Sequence, residues 1–159
     1  MDYTVSFTAQ NFSSHVGAEP APMDPVTGSF IFSWDNSLGF SSAILRSFTA
    51  SFGSYTPAYD EIDGYFADTG HFIIGGLDGD GPNNIFAGTD DFMISGDIHS
   101  LLVSFMAYSN SGQQDPTVFQ STDVTMSISS LSSVPEPSTF GLLALGVLGV
   151  FGYCRFRRT

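Results

Sequence analysis

The chain has no lysine, and its only cysteine is Cys154. Of its 159 residues 4 are basic against 16 acidic, a formal net charge of -12. Each scarcity excludes something. Arg46 is the sole basic residue ahead of Arg155, Arg157 and Arg158. Nucleic-acid phosphates are neutralised by clustered Lys and Arg, so the sequence argues against DNA or RNA as a partner. A polyanionic sugar is repelled by the same charge unless divalent cations bridge the two. A single cysteine closes no internal disulfide, so an oxidising compartment is permitted but not indicated. With no His or Asp near it in the chain, Cys154 is not expected to be a catalytic thiol. The start, MDYTVSFTAQ, lacks a basic residue followed by an apolar stretch, and is not expected to work as a secretory signal peptide.

What is present is aromatic and alternating. Of the sixteen phenylalanines thirteen precede the apolar tail, enough to fill one core. Tyr3, Val5, Phe7 and Ala9 alternate with polar residues, as do Phe30, Phe32 and Trp34, then Phe48, Ala50 and Phe52. The same period holds for Leu101, Val103, Phe105 and Ala107, and for Val124, Met126 and Ile128. A period of two puts each set on one face of a strand. Residues 62–66, 71–74 and 92–94 add shorter strands. Turns are expected at residues 25–28, 63–64, 78–82 and 110–112, where Gly, Pro, Asp and Asn collect. The expected fold class is all-β: an antiparallel β-sandwich (jelly-roll-like) over residues 1–130, followed by one C-terminal transmembrane helix. Phe7, Phe32, Phe48, Phe105 and Val124 are expected to face inward.

Few constellations carry chemistry. Asp78, Asp80 and Asn83 stand on a Gly-rich loop, and hard cations such as Ca²⁺ take six to eight oxygens from such side chains. The spacing is not that of an EF-hand, and a polar inter-strand loop is the alternative. No Gly-x-Ser-x-Gly elbow is present, and His15, His71 and His99 are scattered, so no enzyme is expected. Trp34, Tyr55, Tyr59 and Tyr65 are the rings expected to stack on sugar if the domain binds carbohydrate.

The end of the chain, SVPEPSTFGLLALGVLGVFGYCRFRRT, differs from everything before it. Residues 131–138 read as a Ser/Pro linker in which Pro135 and Pro137 hold Glu136 in extended backbone. Residues 140–154 carry no charge. A helix over 139–156 would be about 27 Å long, a little under the ~30 Å of a bilayer core. Arg155, Arg157 and Arg158 then mark the cytoplasmic end by the positive-inside rule. Val134, Pro135, Glu136, Pro137, Ser138 and Thr139, the apolar run and the closing arginines together resemble a PEP-CTERM sorting signal. YTVSFTAQNF followed by DPVTGSFIFSW also resembles the opening of small β-rich ectodomains of that group.

The resemblance implies transient residence in the inner membrane of a Gram-negative bacterium, cleavage near the Pro-Glu-Pro by an exosortase, and delivery to the cell surface or outside the cell. Such proteins normally start with a signal peptide, so two readings remain open: a start upstream of Met1, or an unexported protein. Three functions are weighed. The first is a non-catalytic surface or exopolysaccharide-matrix protein; the second a carbohydrate-binding module, with or without Ca²⁺; the third a secreted hydrolase. Open aromatic grooves would favour the second, and carboxylates converging in one pocket the third.

Overall fold

A computed structural model of the chain describes residues 1–15, 20–53, 55–77, 81–100, 102–111 and 117–131. The linker beyond Leu131, the membrane helix expected at 139–159, and Asp78 and Asp80 lie outside the described residues.

Among the described residues ten strands form two antiparallel sheets. The first contains β1 (Asp2–Gln10), β3 (Val26–Ser33), β4 (Ile44–Ala50) and β10 (Asp123–Leu131), in the order β10-β1-β3-β4. The second contains β2 (Ser13–Ser14), β5 (Asp63–Phe66), β6 (His71–Gly75), β7 (Asp91–Asp97), β8 (Leu102–Ser109) and β9 (Phe119–Ser121), in the order β2-β9-β8-β7-β6-β5. The body is therefore all-β and antiparallel, as the alternation predicts. Its topology departs from the jelly-roll-like expectation. In the first sheet the last strand returns beside the first, which is Greek-key order, while β5 to β9 pair each with its chain neighbour as a meander. A jelly roll has two Greek keys, and here there is one.

The core lies between the sheets and is mostly phenylalanine. Phe30 meets Phe72 across the gap at 5.5 Å between ring centroids, and Phe48 meets Phe92 at 4.7 Å. One aromatic group, at the end where β7 begins, joins Phe48, Phe52, Phe92, Tyr108 and Phe119. A second, at the other end, joins Phe32, Phe40 and Phe66. Burying each such ring contributes about 2–3 kcal/mol, which stands in for the missing disulfides.

Phe7, Phe32 and Phe48 face inward as expected, and Val124 packs against the core. Phe105 does not. Met106 and Tyr108 are the β8 residues in the core cluster, and Phe105 is half-buried outside it. The pairing of β7 with β8 slips by one residue: Ser95 pairs with Phe105 but Gly96 with Val103. A bulge of one residue reverses the phase of the alternation, so a face read from Leu101 and Val103 fails at Phe105.

Two expected turns are strand instead. Gly28 lies inside β3 and Gly64 inside β5. At Gly28 a Cβ would come within 2.6 Å of the Phe7 ring and 2.5 Å of the Thr49 carbonyl. Its glycine admits a close approach rather than a bend.

One side of the sandwich is closed by a bent two-stranded ribbon. β1 and β10 pair in the first sheet from Asp2↔Leu131 to Gln10↔Asp123. Both chains then cross to the second sheet, where Ser13 pairs with Gln120 and Ser14 with Phe119. At the bend Asn11 takes a positive φ of 59°. Its backbone N–H and that of Phe12 donate to the two oxygens of Asp24 at 3.1 and 3.0 Å. The Asn11 and Gln10 side-chain amides donate to Asp123 at 2.6 and 3.0 Å. The opposite side ends in the edge strands β4 and β5. There Arg46 occupies a bulge, and the Tyr59 hydroxyl donates to the Leu45 carbonyl at 2.6 Å. A charged bulge and a capped carbonyl discourage pairing with another chain.

Candidate functional site

The four aromatic residues expected to meet sugar are placed apart, with no ring contact among them. Trp34 packs edge-on against Phe40 at 5.2 Å, and its indole N–H donates to the Leu38 carbonyl at 3.2 Å. Tyr55 stacks on Phe52 at 5.3 Å and donates to the Asp91 carbonyl. Burial, then the nearby Asp91 and Asp90 carboxylates, push its hydroxyl pKa far up. Tyr59 and Tyr65 are exposed, at 43% and 52%. Tyr59 borders a cleft of about 330 Å³ between the β4 and β5 edges, together with Ile44, Leu45, Ile62 and Phe66.

Of the candidate cation ligands only Asn83 is described, and it is exposed. It borders a groove of about 260 Å³ on the outer face of the second sheet, with Met93, Phe105, Ala107 and Gln120. Among the described residues no three His, Cys, Asp or Glu side chains gather where a metal could be held. Asp90 accepts the Ser111 N–H at 2.8 Å, and Asn110 Oδ1 is buried with no hydrogen-bond partner among the described residues.

In the sequence the polar residues on the outer face of the first sheet show only as the counterphase of the core. Register brings them together in three rows. Thr125, Thr8 and Thr27 make one row. Ser127, Ser6, Ser29 and Thr49 make the next. Ser129, Thr4, Ile31 and Ser47 make the third. Every position but Ile31 bears a hydroxyl, and none bears a charge. Neighbouring strands are about 4.8 Å apart and successive outward residues about 6.7 Å apart along a strand. Of these side chains only Thr125 makes a hydrogen bond among the described residues, a long one of 3.4 Å to the Thr8 carbonyl. The charges stand at the border. Beyond the third row Arg46 donates to the Ser33 hydroxyl at 2.9 Å, which in turn donates to Asp2 at 2.6 Å. The signal that would have found this face is T-x-S-x-T in β1, echoed by T-x-S in β3 and β10.

The body thus belongs to the class of antiparallel two-sheet β proteins, and its sequence continues past β10 into the apolar tail. Residues 133–158 of that tail match the family model described as the PEP-CTERM protein-sorting motif. The chain carries a PEP-CTERM sorting signal, as Val134–Thr139 and the following residues resemble. No curated protein and no solved structure matches the chain. Among the described residues no helix is long and apolar enough to cross a membrane.

Proposed function

We propose that this is an exported, non-catalytic protein of the cell surface or extracellular matrix, released from the inner membrane by an exosortase that cuts near Pro135–Pro137. The match of residues 133–158 to the sorting motif carries the reading. The motif's parts have separate physical jobs. The prolines keep the cut region extended, so little backbone entropy is lost when it enters a protease cleft. The uncharged run holds the chain in the bilayer as a single helix, and Arg155, Arg157 and Arg158 fix its orientation. The sandwich ahead of it fits a binding or structural role: among the described residues the carboxylates of Asp24, Asp35, Asp97 and Asp123 hold turns and bends.

The test is a full-length chain given a working signal peptide and expressed with and without an exosortase. With the enzyme the protein is expected to lose about 20–25 residues, the length of an anchor helix with its flanks. Without it, intact protein is expected in the membrane fraction. Pro135→Ala with Pro137→Ala, or Glu136→Lys, is expected to stop shortening and leave insertion unchanged. Intact protein accumulating outside the cell, with its arginines detected by mass spectrometry, would contradict the reading.

A further inference from the structure

We infer that the hydroxyl-bearing outer face of the β10-β1-β3-β4 sheet is an adsorption surface for a neutral, hydroxyl-rich polysaccharide chain. The inference extends the surface-protein reading to a partner, and its test is independent of tail processing.

Across eleven outward positions the three rows carry ten hydroxyls and no charge, so the face adds nothing of its own to the molecule's net charge of -12. Their side chains are short, so immobilising them costs little rotamer entropy, in contrast to Lys or Glu. A Ser or Thr hydroxyl both donates and accepts, as a sugar hydroxyl does. The hydroxyls are also free for a ligand: apart from Thr125, their side chains have no bonding partner among the described residues. Ser6, Thr8, Thr125 and Ser127, with Phe7 and Met126, line a shallow depression of about 250 Å³.

The same features set other occupants aside. A protein partner takes its affinity from buried aromatic or Arg anchors, and within the rows Ile31 is the only large apolar side chain. An anionic polymer meets the repulsion of the whole molecule. A rigid crystalline lattice needs a flat array, whereas adjacent strands turn by roughly 20–25° relative to one another. A flexible chain can follow that twist, collecting several weak contacts along its length.

The experiment uses the full chain in mild detergent and two solid probes, amorphous cellulose and the same material carboxymethylated. Retention on the neutral probe is expected to exceed that on the charged one by about tenfold. Replacing Thr8, Thr27 and Thr49 by Val keeps shape and strand preference while removing three hydroxyls. That variant is expected to lose about tenfold in retention with its melting temperature unchanged. Ser127→Lys with Ser6→Lys, both on the exposed face, gives a second reading should the valine variant fold poorly, and is expected to lose retention as well. Asn83→Ala with Gln120→Ala, in the groove of the other sheet, is expected to bind as the parent does. The inference is overturned by a parent that neutral cellulose does not retain, by equal retention on both probes, or by folded hydroxyl variants that bind unchanged.

Discussion

Tyr108 shows how a single side chain ties distant parts of this chain together. Its ring sits in the core between Phe52 and Phe119. Its hydroxyl reaches the segment before β3, donating to the Met23 carbonyl at 2.8 Å and accepting the Met23 N–H at 3.0 Å. Tyr108→Phe keeps the packing and strands both Met23 groups, so urea denaturation is expected to show a loss of about 1–3 kcal/mol. Burial, partly offset by the Met23 bond, raises the Tyr108 pKa from 10.0 to about 12. The unfolded chain therefore loses this proton first. The associated stability is complete below about pH 10 and disappears as pH rises through about 12, with Tyr55 acting in the same direction. At the acid end Asp35, Asp68 and Asp97 are held below their ordinary value of 3.8, chiefly by bonds from Ser37, Ser41 and Ser100. Their contribution is present above that value and is lost as pH falls below it. Thermal melts across pH check both limbs. Gly28→Val tests close packing at the same scale. The added side chain meets Phe7, Ala50 and the Thr49 carbonyl, and a cost of about 1–3 kcal/mol is expected in the same denaturation assay.

Among the elements, the bend joining β1 to β2 is the part most dependent on a few polar bonds. Asp24 satisfies two backbone donors there, and Asp24→Ala leaves both to water. A cost of about 1–2 kcal/mol is expected, with faster amide exchange at Asn11 and Phe12 as its local signature. A uniform change in exchange over the whole domain would show that the bend is not held locally. The strands themselves were readable, because Val5, Phe7 and Ala9, or Phe30 and Phe32, keep a strict period over a straight run. What the pattern hid were breaks in that run. The bulge at Ser104 changes phase with no Gly or Pro in β8 itself to mark it, and Gly96, which stands at the break, lies on the partner strand, so the inward face does not extend to Phe105. Gly28 and Gly64 read as turns because a sequence does not show which ring lies over a glycine. The hydroxyl rows were hidden for a related reason. T-x-S-x-T within one strand is unremarkable, and only the register of four strands from distant parts of the chain assembles it.

At the scale of the whole molecule, the sorting tail and the sandwich are close neighbours. Only three residues separate Leu131 from Pro135, so the first proline lies at most about 14 Å from the end of β10. An enzyme cutting there works against a folded body. Eight Gly and Ser residues inserted after Ser132 are expected to speed shortening in a pulse-chase, and an unchanged rate would show that the body is no obstacle. Asp2 pairs with Leu131, so the chain leaves the sandwich at the end where β1 begins. Before the cut, a copy still anchored by its tail has β1 and β10 extending away from the point where the tail leaves, about 30 Å for nine residues. The hydroxyl rows then form a wall rather than a roof. A polymer threading between neighbouring copies lies along several such walls at once, and the hold on it depends on how densely the copies stand.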